Sequence, residues 1–169
     1  MDASLRDALS LVCSSCHLDG CCCLEARPPL TADRIRLLLA SGLSPEAIEF
    51  AGYSRLKLKP DGYCVMYQQN KCNIHWVKPE TCVAGPFTFD VKGSLLEIYL
   101  KRETICPLTK FLRENEEAYR GLFDAAIEKI TDLVRALPPS ELAEVCKIEE
   151  LETDLVAEVR LQESENLCK

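Results

Sequence analysis

Nine of the 11 cysteines in this 169-residue chain fall within its first 106 residues: Cys13, Cys16, Cys21, Cys22, Cys23, Cys64, Cys72, Cys82 and Cys106. A thiolate is a soft, anionic ligand that suits zinc or iron–sulfur clusters, and grouped thiols in a chain showing no export signal are held reduced rather than paired as disulfides. Whatever fold the chain adopts must gather sulfur, and metal binding is the first expectation. Cys13-Ser14-Ser15-Cys16 is a C-x2-C pair, a spacing that lets two thiolates reach one metal from a tight turn. Adjacent cysteines such as Cys21-Cys22-Cys23 tend to point apart and to serve different ions or irons, which hints at more than one metal or a multinuclear cluster. Cys64, Cys72, Cys82 and Cys106 bring the total to enough thiols for two four-cysteine sites.

The opening residues Met1 to Asp7 carry two aspartates, one arginine and no unbroken apolar run. The expectation is a cytoplasmic protein with no secretory or membrane-spanning segment. With 47% apolar residues, a core can form without disulfides, and the length suits a single compact domain. The formal charge of -7 is uneven: residues 1–107 hold 12 acidic and 12 basic side chains, whereas residues 108–169 hold 15 acidic and 8 basic. Nucleic acid is therefore an unsuitable partner, because binding it needs a surplus of Lys and Arg against the phosphates.

Ala3 to Val12 can form a short helix, and Cys13 to Arg27 reads as a ligand-bearing loop. Thr31 suits the N-cap of a helix over Ala32 to Ala40 that ends at Gly42, and Ser44-Pro45-Glu46 suits the start of another. Lys59-Pro60-Asp61-Gly62 is a turn. Phe87, Phe89 and Val91 alternate, Lys92-Gly93-Ser94 turns, and Leu96, Ile98 and Leu100 return on one face, which predicts a β-hairpin delivering Cys106 toward the loop of Cys82.

From Tyr119 to Leu137 apolar residues recur at spacings of three and four, the stripe of a long amphipathic helix. Pro138-Pro139 breaks it. Ser140 then caps a predicted second helix with Leu142, Val145, Ile148, Leu151, Leu155 and Val159 on its apolar side, making an αα-hairpin. The fold class expected is α+β: an irregular cysteine-rich metal-binding region over residues 1–107, with short helices and one β-hairpin, and a helical hairpin over residues 108–169 packed on it. Cys146 beside the last apolar stripe reads as a buried small hydrophobe, and Cys168 belongs to a terminus expected to fray.

The series Cys13-x2-Cys16, Cys22-Cys23, Cys64, Cys72-Asn73-Ile74-His75-Trp76-Val77-Lys78-Pro79-Glu80-Thr81-Cys82, Gly85-Pro86-Phe87 and Cys106-Pro107 resembles the CxxCxxCC cysteine-cluster family, whose members are described as zinc- or iron-chelating domains and often called YkgJ-like. The resemblance implies Cys13, Cys16, Cys22, Cys23, Cys64, Cys72, Cys82 and Cys106 as metal ligands. Four residues separate Cys16 from Cys21, where the family has two. Which two of the triplet bind is thus open; Cys22 and Cys23 are favoured because the chain resumes directly after them, and Cys21 stays a candidate. The family's tyrosine is His75 here and its arginine is Lys78. Cys72-x2-His75 is a zinc-like spacing, but the family has a non-ligand at that place, so packing or hydrogen bonding is the expected role of His75. His17 lies in the cysteine loop, where it can reach the same metal or remain in solvent. A cation at Lys78 has a use, offsetting the negative charge of a thiolate-bound metal; Arg27 and Lys71 can serve likewise.

No phosphate-cradling glycine loop, G-x-S-x-G elbow or paired histidines appear, and no thioredoxin-like pattern surrounds Cys13 and Cys16. The chain reads as a metal-binding protein rather than an enzyme in its own right. Its cofactor is expected to be an iron–sulfur cluster serving electron transfer or cluster handling beside a protein partner; the alternative is a zinc-stabilised protein-binding module without redox activity.

Overall fold

The computed structural model describes residues 21–69, 71–149 and 152–161. Cys13, Cys16, His17, the side chain of Cys21, the helix expected over 3–12 and Cys168 lie outside the described residues.

Thr31 Oγ1 accepts the Arg34 N–H at 3.1 Å and opens helix α1 (Ala32–Ala40), which buries Leu38. The Thr31→Ala change removes this cap and costs about 1 kcal/mol, measurable by denaturant unfolding. The helix expected after Ser44 is only a 3₁₀ turn, Pro45–Ala47. The chain leaves it at once for strand β1 (Ile48–Phe50), which pairs antiparallel with β2 (Ser54–Leu56). Short strands β3 (Tyr67–Gln68) and β4 (Lys71–Cys72) pair next, then a 3₁₀ turn over His75–Val77 leads into α2 (Glu80–Ala84). Leu30, Leu38, Leu56, Cys64 and Ile74 form a small first core, with Cys23 and Cys72 against it.

Gly85 ends α2 at φ 66, a left-handed conformation that glycine adopts without penalty. The predicted hairpin follows as β5 (Phe87–Lys92) and β6 (Leu95–Lys101), with Phe87 opposite Leu100, Phe89 opposite Ile98 and Val91 opposite Leu96. Opposite residues share a face, so both apolar rows point the same way. Helices α3 (Leu108–Glu114) and α4 (Glu116–Ala136) pack on this sheet; α4 buries Leu122, Ala126, Ile130, Leu133 and Val134 of the stripe predicted from periodicity, and Ala118 ahead of it. Apart from Leu133, these residues and those of the hairpin form a larger second core.

The second C-terminal helix is shorter than predicted. It runs only over Pro139–Val145 (α5), and Thr153–Arg160 is instead strand β7, antiparallel to β6 in a sheet of order β5-β6-β7. The reason lies in β6, whose buried Leu96, Ile98 and Leu100 make it an inner strand: its backbone N–H and C=O groups need partners along both edges, and β7 supplies the second. Pairing slips between Ile98 and Tyr99, opposite Ala157 and Leu155, so Val156 is an extra residue on β7. Val156 and Ala157 then both meet the second core. Leu155, which a helix would have buried, is exposed.

Helix α2 joins the two cores. Its Ala84 enters the second, while Glu80 at its start pairs with Arg34 of α1. Among the described residues no helix is long and apolar enough to cross a membrane.

Candidate metal centre

Backbone pairing explains how distant cysteines become neighbours. Cys64 N–H donates to Cys23 O at 2.8 Å and Glu25 N–H to Gly62 O at 2.8 Å, so the segment after the triplet lies along the segment of Cys64. Tyr67 N–H donates to Cys64 O, and β3 turns back through β4 to set Cys72 opposite Tyr67. The 3₁₀ turn and Pro79 then aim α2, with Cys82, back toward the same place. Among the described residues, Cys22, Cys23, Cys64, Cys72, Cys82 and Cys146 are free thiols; Cys64 is buried and Cys22 is exposed.

Their electrostatics show which of them share a neighbourhood. The Cys23 S–H hydrogen-bonds to Cys22 and, against the opposing effect of partial desolvation at the thiol, holds Cys22 down to about 6, with help from the Lys78 charge and less from Lys101. The same bond raises Cys23, as do burial and the nearby Cys22, Cys72 and Cys64. Burial raises Cys64, with Cys72 adding to it and a Met66 backbone bond and the Lys59 charge opposing. Burial pushes Cys82 up to about 12; Cys64, Cys72 and Cys22 add to this, and Lys78 opposes it. Five of the expected ligands, Cys22, Cys23, Cys64, Cys72 and Cys82, are thus linked electrostatically, each acting on at least one other.

Cys106 follows β6 and packs against the second core, which Ala84 of α2 also enters. The His75 ring is exposed and meets Trp76 edge-on at 5.4 Å. Partial desolvation of the ring, ahead of the Lys78 charge, lowers its pKa. Neither contact is a thiol. Cys146 is only partly buried, hydrogen-bonds with Asp90 and the Val91 backbone and belongs to neither core, so it is not the buried small hydrophobe expected. Lys78 has the position its charge suggested, acting on both Cys22 and Cys82. Lys101 acts on Cys22 and Lys59 on Cys64, contacts that no local sequence pattern marks.

A family model, CxxCxxCC, described as "Putative zinc- or iron-chelating domain", matches residues 12–107. The chain belongs to this family. No curated protein and no solved structure matches it. The CxxCxxCC match runs from just before Cys13 to just after Cys106 and leaves α3, α4, α5 and β7 outside.

The donor set fits the chelating role of the CxxCxxCC family. Clustered thiols with lysines beside them are soft ligands in a field that tolerates thiolate charge, which suits zinc or iron–sulfur and does not suit calcium or magnesium. Among the described residues, no three His, Cys, Asp or Glu side chains stand in a closed ligating arrangement. What the fold supplies there is a neighbourhood of thiols.

Proposed function

We propose that this CxxCxxCC protein holds an iron–sulfur cluster through Cys22, Cys23, Cys64, Cys72 and Cys82, together with Cys13, Cys16 and Cys106, and serves electron transfer or cluster handling beside a protein partner in the cytoplasm. The supporting observation is that five thiols from four chain segments share one neighbourhood, with the adjacent Cys22 and Cys23 both in it. One tetrahedral zinc takes four ligands, so the group exceeds a single zinc site before the N-terminal pair is added. When bound, such a cluster supplies reversible one-electron chemistry. The chain's own part is to bring thiolates together, to shield them by burying Cys64, and to offset their charge with Lys78 and Lys101.

The test is a visible spectrum and elemental analysis of the full chain purified without oxygen. Broad brown absorption with iron and acid-labile sulfide supports the proposal. A colourless protein with stoichiometric zinc overturns it and leaves a zinc-stabilised protein-binding module.

A further inference from the structure

Two residues before Cys82, Glu80 is inside the protein, its side chain 10% exposed against 15% for Arg34. Glu80 Oε1 accepts from Arg34 Nε at 3.0 Å and from Arg34 Nη2 at 2.7 Å. Arg34 Nη1 also donates to the Val77 carbonyl at 3.4 Å. Glu80 Oε2 is buried without a hydrogen-bond partner among the described residues. Such a pair is a weak source of stability, because removing both charges from water costs about as much as their attraction returns. A pair with one carboxylate oxygen unsatisfied is weaker still.

Its effect is on placement. A guanidinium is a rigid planar fork, and this one holds two points of the chain at once: the last residue of the 3₁₀ turn and the first of α2. Between them lie Lys78, whose charge acts on Cys22 and Cys82, and Pro79. Helix α2 has five residues and no side-chain cap at its start. So short a helix cannot hold its own position. Beyond that contact, α2 packs against α4 and sends Ala84 into the second core, so the Arg34 contact is what ties the start of the helix to α1.

We propose that the Arg34–Glu80 pair is a clamp between α1 and α2 that positions Cys82 within the thiol group. Arg34 and Glu80 are positioning residues, acting through Cys82. The consequence for metal affinity rests on the reading of Cys82 as a ligand; the placement of Cys82 does not.

The experiment uses the full chain in its reduced, metal-free form, with zinc(II) as the probe against a chromophoric chelator and with alkylation of each cysteine followed by mass spectrometry. Glu80→Gln and Arg34→Met are expected to weaken zinc(II) binding by about 10- to 100-fold, the usual effect of losing a group that orients a ligand. They are also expected to speed alkylation of Cys82 by about tenfold or more through local opening, with Cys106 unchanged. Arg34→Lys keeps one donor and falls between. Leu96→Ala, in the second core, lowers the melting temperature without changing either readout. Wild-type zinc(II) affinity and Cys82 alkylation in both Glu80→Gln and Arg34→Met overturn the clamp. Alkylation rising equally at every cysteine also overturns it, since that is the mark of a pair that merely stabilises. If the unaltered chain takes up no zinc(II), the ligand reading fails and the alkylation rates alone decide the clamp.

Discussion

Cys72→Ser and Cys82→Ser each abolish stoichiometric metal uptake and loosen the first core, whereas Cys146→Ser retains both metal and fold. Serine preserves shape but is a hard, protonated donor where the site needs a soft anion. Removing a ligand should cost more than the roughly 100-fold that losing a supporting group does. Site formation and folding are coupled in thiolate-bound domains, and Cys72 packs on the first core directly, so secondary structure in residues 21–77 should weaken with the metal. Cys146 instead has Asp90 and Val91 as its neighbours, and a hydroxyl can keep those hydrogen bonds. Elemental analysis and circular dichroism on the three variants check this. Equal metal content in all three contradicts the ligand assignment.

Ile130→Ala has the opposite signature, with a large loss of stability and no loss of metal. Ile130 is fully buried in α4, in the core that α4 builds with the β5-β6-β7 sheet. Truncating such a side chain removes burial and leaves a cavity, costing about 2–5 kcal/mol. For a chain of this size that corresponds to a fall of roughly 5–15 °C in melting temperature. Below that temperature the thiol group should keep its metal, because Cys23, Cys64 and Cys72 belong to the other core. A change below about 1 kcal/mol, or metal lost while the protein is still folded, contradicts the division into two cores.

The parts of this fold that are legible from residues alone are those where one face is buried and the other is not. The hairpin of β5 and β6 alternates cleanly because its Phe87 and Leu96 rows share a face, and α4 sustains its period over 21 residues. Thr31 is legible as a cap because its hydroxyl has one local use. Strand β7 is hidden by its own irregularity: the extra residue Val156 sends two neighbours inward. The spacing from Leu142 to Val159 meanwhile imitates a helix. In the candidate site, the cysteines announce themselves by type and number, and Lys78 by the charge such a site requires. The Arg34–Glu80 contact joins residues 46 apart and leaves no local pattern to read.

The claim beneath all of this is that sulfur from separate stretches of chain converges on a common metal. X-ray absorption at the edge of the bound metal, on protein loaded as purified, tests it most directly. The account predicts a first shell of sulfur alone at about 2.3 Å, the metal–thiolate distance. A first shell of nitrogen and oxygen contradicts it.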